Sequence, residues 1–244
     1  MSVQENFADC TADARLVYRI LELLPQPVAF LPFGSEVSFA AANANRGWPE
    51  SHAKRALDIV IAVPALLLVS PLLFALAVLI RLDSEGPALF RQTRMGRDGA
   101  SFDIFKLRTM TVQENGTDIV QASRGDARVT RLGRWLRAYS LDELPQLINV
   151  VKGEMSLVGP RPHALAHDRR YGLLLADYPR RHSVKPGLTG LAQVNGLRGA
   201  TPTLEAMARR VELDLQYVNR AGFALDAEIL FRTPFEMLRR RNAY

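Results

Sequence analysis

KRALDIVIAVPALLLVSPLLFALAVLIRLDSEGP, residues 54–87, decides how the rest of the chain is read. From Ile59 to Ile80 there are 22 residues without a charge, and Ser70 carries their only polar side chain. About 20 apolar residues are enough to span a bilayer as a helix. A buried helix of a soluble core passes the same length test and stands as the plain alternative. The flanks bear on how a membrane helix would lie. Lys54 and Arg55 precede the run, and Arg81, Arg91, Arg94 and Arg97 follow it. Positive charge resists translocation, so a simple span would have to carry one basic flank across. Ser70-Pro71 stands at the middle of the run. Pro71 lacks a backbone donor and clashes with the carbonyl four residues back, so the helix should bend there. The Ser70 hydroxyl is placed to satisfy a freed carbonyl. The expectation is a re-entrant helix–break–helix over 53–83 that enters and leaves the same leaflet, with a straight transmembrane helix as the alternative. Asp58 beside Lys54 and Arg55 is read as an interfacial ion pair or as solvated flanking charge.

Outward from this segment, residues 1–52 read as a separate extension of unknown role. Ala12–Leu24 has a helical apolar pattern ended by Pro25 and Pro27. Val28–Ala41 has room for one or two short strands, and the small polar residues from Ala41 to His52 read as a linker. Residues 1–15 are polar and acidic and lack a basic-then-apolar leader pattern. The whole chain has 244 residues and a formal charge of +6, which favours anionic partners: nucleic acid, anionic lipid or phosphorylated substrates. Its single cysteine, Cys10, excludes an internal disulfide framework.

Downstream, residues 84–244 read as one mainly helical domain with a small β element, an α+β class overall. Ala88–Arg91 and Ser101–Lys106 have strand composition, and Gly96-Arg97-Asp98-Gly99 between them supplies hairpin turn chemistry. Val112–Gly125 reads as a mobile loop. Arg128, Arg131, Arg134 and Arg137 recur every three residues, a drifting basic stripe on a helix, either solvated or facing lipid headgroups.

RAYSLDELPQLINVVKGEMSLVGPRP, residues 137–162, holds the chemistry. Asp142 and Glu143 are adjacent carboxylates. Ser140 with Glu143 three residues on also makes a capping box, in which Glu143 would only cap a helix. Lys152-Gly153 ends that helix, Met155–Val158 reads as extended, and Gly159-Pro160-Arg161-Pro162 is a rigid turn that presents Arg161 at low entropic cost. His163–Tyr178 reads as a further helix; His163 and His167 are four apart, but no third close His and no Cys supports zinc. Residues 182–199 read as a loop with Lys185, Gln193, Asn195 and Arg198 as ligand-facing polar groups. Thr203–Asn219 reads as an amphipathic helix, and Leu225–Arg241 as an interfacial helix mixing large apolar side chains with arginines.

This order of features is basic residues before an apolar Ser-Pro segment, a hairpin ending FKLRTM, RVTRLGRWLRAYSLDELPQL, KGEMSLVGPRP and VKPGLTGLAQVNG. It resembles the bacterial sugar transferases, the monotopic phosphoglycosyl transferases that begin polysaccharide and glycoconjugate assembly. The likeness covers about residues 52–244 and is nearest to the branch using UDP-glucose or a similar hexose donor. It departs at Leu191 and Leu197, where tryptophans are common. The resemblance implies transfer of a hexose 1-phosphate, with glucose indicated, from a UDP-sugar to polyprenyl (undecaprenyl) phosphate, with release of UMP. It implies Asp142 as nucleophile and Glu143 as its catalytic partner, the two carboxylates holding Mg²⁺. Arg137 and Arg161 would bind phosphate, with Lys106, Arg108, Lys185 and Gln193 in support. It implies the bacterial inner membrane, with the catalytic domain facing the cytoplasm; a homodimer is one open oligomeric state. Two other classes compete. A nucleic-acid-binding protein would use the charge of +6, but the uncharged run speaks against it. A membrane-anchored scaffold leaves the Asp-Glu pair and the Gly-Pro-Arg-Pro turn without a purpose.

Overall fold

His52–Asp83 forms one uninterrupted helix, α1, in the computed structural model, which describes residues 47–111 and 125–239. The readings made for residues 1–46 and for 112–124 fall outside those residues. Ser51 caps α1 by accepting the Lys54 amide at 3.0 Å. The expected break does not occur: α1 continues through both Pro64 and Pro71. At Pro71 the reason lies in Ser70. Pro71 leaves the Leu67 carbonyl without its helical donor, and Ser70 Oγ donates to that carbonyl at 2.9 Å. The polar repair expected of Ser70 is present, and it serves continuity.

Most of α1 is apolar and uncovered; Leu68 is 82% exposed and Phe74 is 74% exposed. The sides that are covered lie on the domain at both ends of the helix. Ala62 enters the main core, with Ala65, Leu66 and Val69 packed on it. Leu76 and Ile80 form a second cluster with Leu107 and Leu136.

After α1 come β1 (Leu89–Met95) and β2 (Ser101–Leu107), an antiparallel hairpin in register Leu89↔Leu107 to Met95↔Ser101. Its turn is a 3-10 turn at Arg97–Gly99, with Asp98 at φ 53° and Gly99 at φ 81°. Helix α2 (Arg131–Tyr139) and α3 (Gln146–Lys152) follow. Asn149 on α3 clips this helix to β2. Its Oδ1 accepts the Phe105 amide at 3.0 Å and its Nδ2 donates to the Asp103 carbonyl at 2.7 Å. Strand β3 (Ser156–Val158), helix α4 (Leu165–Leu174) and strand β4 (Gly187–Thr189) come next, then the short α5 (Leu191–Val194), α6 (Leu204–Arg220) and α7 (Phe223–Arg239). The helix expected over His163–Tyr178 is shorter, because α4 ends at Leu174 and a separate 3-10 turn covers Tyr178–Ser183. The stretch 182–199 is not a plain loop: β4 pairs parallel with β3, Ser156 against Gly187 and Val158 against Thr189. A Cβ on Gly187 would lie 2.1 Å from the Gly159 nitrogen, so this approach of two backbones requires glycine.

Lys54 and Arg55, in the first turn of α1, turn toward the domain. Lys54 is 3% exposed, with Nζ 3.0 Å from Asp58 and 2.8 Å from Asp226. Asp226 also accepts from Tyr217 Oη at 2.9 Å and from Trp48 Nε1 at 2.8 Å, so Trp48, read as linker, is part of the fold. Asp58 accepts from Ser156 Oγ and the Leu157 amide, both at 3.1 Å. Arg55 donates to the last carbonyls of α3, Val150 at 2.6 Å and Val151 at 2.7 Å. Lys54→Met leaves two buried carboxylates without their cation and should cost about 3–5 kcal/mol. The midpoint of thermal unfolding in detergent reads this loss; an unchanged midpoint would show that the network contributes nothing.

Arg108 is also structural. It is 4% exposed and donates to the Ile80 carbonyl at 3.2 Å, the Ser84 carbonyl at 2.6 Å and the Glu85 carbonyl. These carbonyls lie in the last turn of α1 and just beyond it, where intrahelical donors run out; the Ile80 carbonyl also accepts the Ser84 amide at 3.2 Å. The phosphate-binding expectation for Arg108 is therefore corrected: its guanidinium is committed to the helix end.

Candidate active site

The acidic pair sits at an elbow. Helix α2 ends where Ser140 adopts the left-handed region, φ 59°, and a 3-10 turn at Leu141–Glu143 leads through Pro145 into α3. Leu136 and Leu141 anchor one side of the elbow in the α1 end cluster. Leu147 and Val150 anchor the other side in the main core. No capping box forms. Ser140 makes no side-chain cap bond, and its hydroxyl is buried without a hydrogen-bond partner. Glu143 faces cations instead. Lys106 Nζ at the end of β2 is 3.1 Å from Glu143 Oε1. Arg161 grips the same carboxylate with both terminal nitrogens, Nη1 to Oε2 at 2.9 Å and Nη2 to Oε1. Such a fork is the geometry arginine offers and lysine lacks.

The turn that carries Arg161 is held by the β3–β4 pairing. Gly159 donates to the Thr189 carbonyl at 2.9 Å, and the Pro160 carbonyl accepts the Gly187 amide at 2.9 Å. Two prolines and two backbone bonds leave the segment little freedom.

The two adjacent carboxyls are driven in opposite directions. Burial first, and then the charge of Glu143, push Asp142 up from 3.8 to about 6, against the pull of Lys106, Arg137 and Arg161. Burial alone would also raise Glu143, but Arg161 and Lys106 outweigh it and hold that carboxyl well below 4.5. Asp142 is 9% exposed. One acid is thus neutralised by its neighbours, and the other is desolvated and electron-rich once ionised.

Four of the residues expected at the site, Lys106, Arg161, Asp142 and Glu143, lie together in the structure. Arg137 lies on the last turn of α2, half-buried, and its charge acts on Asp142. Lys185 is elsewhere: a Cβ on Gly153 would lie 3.7 Å from Lys185 Nζ and 3.4 Å from Arg55. Gln193 turns its Nε2 to the Leu188 carbonyl at 3.0 Å. Two further cations act on the site: Arg198, read from sequence only as a ligand-facing group of its loop, and Arg94, which was not assigned. The charge of Arg198 acts on Glu143, Asp142 and Arg161, and that of Arg94 on Arg161 and Glu143. The alternation of β1 places Arg94 two residues from Gln92 on one face, a signal that was readable. His163 is engaged by Tyr178 Oη, 2.7 Å from its Nδ1.

A profile described as bacterial sugar transferase matches residues 49–240. The chain belongs to that family. Among its relatives, a UDP-glucose:undecaprenyl-phosphate glucose-1-phosphate transferase of Caulobacter vibrioides is 54% identical over 191 residues, 78% of this chain and 72% of the relative. A protein of the same description in Escherichia coli K12 is 51% identical over 78% of this chain but only 41% of its own length. An exopolysaccharide production protein of Rhizobium leguminosarum is 42% identical over 78% of this chain and 98% of its own length. The matched part of this sugar transferase therefore spans the whole of some relatives and about two fifths of others. It contains every residue of the elbow and Arg94, Lys106, Arg161 and Arg198.

A divalent metal fits this sugar transferase on the chemistry of its donors. Among the described residues no group of three His, Cys, Asp or Glu side chains converges. Mg²⁺ needs only one or two carboxylates, because it keeps waters and substrate phosphates. A carboxylate offers about four lone-pair directions. Lys106 and Arg161 take two on Glu143 Oε1 and one on Oε2, so one remains on Oε2.

Proposed function

We propose that this transferase moves glucose 1-phosphate from UDP-glucose to undecaprenyl phosphate through a phosphosugar carried on Asp142. The observation that carries this reading is the split of the acidic pair. A desolvated carboxylate stands among five cations whose charges act on the acidic pair and which Glu143 only partly neutralises: Arg94, Lys106, Arg137, Arg161 and Arg198. A diphosphate suits such a concentration of positive charge, and a carboxylate poised next to it can attack phosphorus. Asp142 attacks the sugar-bearing phosphorus, the bond to the bridging oxygen breaks, and UMP leaves with that electron pair. An oxygen of the lipid phosphate then attacks the same phosphorus and frees the Asp142 carboxylate. The product is the lipid diphosphate sugar. Arg161 and Lys106 hold Glu143 and offer donors to phosphate oxygens, which stabilises the charge that develops. Mg²⁺ held by Glu143 and Asp142 would supply further charge neutralisation on the diphosphate. The descriptions of the Caulobacter and Escherichia relatives support this donor and acceptor.

The same reading places α1 in one leaflet of the bacterial inner membrane, with the domain on the cytoplasmic side. Both ends of the apolar helix are tied to one domain, the first through Lys54 and Arg55 and the last through Arg108. A helix so held has no free end to send across. Exposed Trp135 and Tyr139 on α2 meet as tilted rings, 5.3 Å between centroids, on the helix that also carries Arg131 and Arg134, which suits a headgroup layer.

The test uses the full chain in detergent with undecaprenyl phosphate, Mg²⁺ and a panel of UDP-sugars, reading UMP. Release with UDP-glucose, together with covalent labelling by donor radiolabelled in the sugar, is the expected result. Release only with another UDP-sugar would replace glucose; release with no adduct would remove the intermediate.

A further inference from the structure

We propose that one face of α6 sets the aim of the two arginine segments around Glu143, through Arg181 and Arg210 as positioning residues. Neither has a place in the proposed chemistry, on which this inference rests. Arg181 is 2% exposed. Its Nε and Nη2 donate to Asp214 Oδ2 on α6 at 3.1 Å and 2.8 Å. The same Nη2 donates to the backbone carbonyl of Arg161, and Nη1 lies 3.2 Å from His163 Nδ1. One planar guanidinium thus brackets Arg161-Pro162-His163 from below. Tyr178 seats it, with its ring centroid 5.2 Å from the Arg181 guanidinium carbon and its hydroxyl donating to Asp168 at 2.7 Å.

Arg210 repeats the device one turn earlier on α6. It is 4% exposed, and its Nη2 donates to the backbone carbonyl of Gly199, the residue after Arg198. Arg210 and Asp214 are four apart and share a helix face. Residues 195–203 have no regular structure of their own to hold Arg198 in place. A helix of 17 residues without an internal proline, capped at its start by Thr203, is a ruler between the two segments. Burying two guanidinium groups is a costly way to join backbones unless direction matters, because apolar side chains would join them with less desolvation. The planar fork of arginine fixes direction as well as distance.

The test is a pair of double-mutant cycles on the full chain in detergent, reading kcat/KM for UDP-glucose and, separately, the affinity for UDP. Arg181→Met is combined with Asp214→Leu, which removes both members of the closest ion pair and leaves Asp168, 3.8 Å from Arg181, its hydrogen bond from Tyr178; Arg210→Met is made singly. Each should lose about tenfold in the parent, a coupling in the usual range for residues of one network. The Arg181/Asp214 change should lose nothing further when Arg161 is already Ala, yet keep its about tenfold effect when Arg198 is Ala. Arg210→Met should show the reverse pattern. Equal losses in both backgrounds, as a general loosening of the fold would produce, overturn the proposal, and so does an unchanged parent value. Should the paired variant not fold, the Arg210 cycle decides alone. A parent that binds UDP but releases no UMP refutes the proposed reaction, while the UDP cycles still judge α6.

Discussion

Asp142→Asn is expected to abolish transfer and at the same time to raise the midpoint of thermal unfolding. The loss of transfer follows from chemistry: an amide is not a nucleophile toward phosphorus, and removal of an attacking group costs at least about 10³-fold in rate. The gain in stability follows from the shift of Asp142 from 3.8 to about 6, caused first by burial and then by Glu143. The folded protein binds that proton more tightly than the unfolded chain does. Stability therefore falls as pH rises from about 4 to about 6 and stays lower above that window. Two pKa units correspond to about 3 kcal/mol, of which an isosteric amide should recover about 1–3 kcal/mol at pH 8. At pH 4 the parent carboxyl is already protonated in the fold, and the two proteins should unfold at closer temperatures. The same group sets the acid limb of activity, since the nucleophile is the ionised form, and UMP release should fall as pH drops through about 6. An Asn variant that still accepts radiolabel from the donor would remove Asp142 from the role of nucleophile. A variant with a lowered midpoint at pH 8 would remove the claim that its charge is held against a folding cost.

Glu143→Gln is expected to lower the midpoint, the opposite sign from its neighbour. Glu143 accepts from Lys106 at 3.1 Å and from both arms of Arg161. Its carboxyl is depressed because those cations outweigh burial. Its contribution to stability is present above the unfolded value of 4.5 and is lost as pH falls through the folded value. Removing the charge strands Lys106 and Arg161, whose side chains are 19% and 20% exposed. A fully buried pair would cost about 3–5 kcal/mol; partial solvent access reduces this to about 2–4 kcal/mol. Activity should fall by about 10²–10³-fold, because the arginine that serves the phosphates loses the group that aims it. Thermal unfolding of both variants at pH 8, with UMP release, checks the pair together. Shifts of the same sign would mean that the two carboxylates are not differentiated by their surroundings.

The elements that were legible are those whose signal is local. The apolar run of α1, the β1–β2 hairpin with its Gly-Arg-Asp-Gly turn, and α6 follow from periodicity and turn chemistry within a few residues. The pairing of β3 with β4 was missed because three-residue strands from segments 31 positions apart in register, Ser156 and Gly187, leave no periodic trace. Glu143 was ambiguous for a similar reason. A capping box and an ion-pair partner look alike in sequence, and the decision came from Lys106 and Arg161, which lie 37 and 18 positions away.

By itself, the order of residues determined that this chain has one long apolar helix, an acidic pair beside a proline-bounded arginine, and membership of the bacterial sugar transferases. Only the tertiary structure decided what the flanking cations are for. Lys54 and Arg108, alike in sequence to interfacial or phosphate-binding cations, became a buried counter-ion and the cap of a helix end. Arg94 and Arg198 joined the site instead. The physical reason is that a cation's role is set by which desolvated carboxylate or open carbonyl it meets, and those partners come from other segments of the chain.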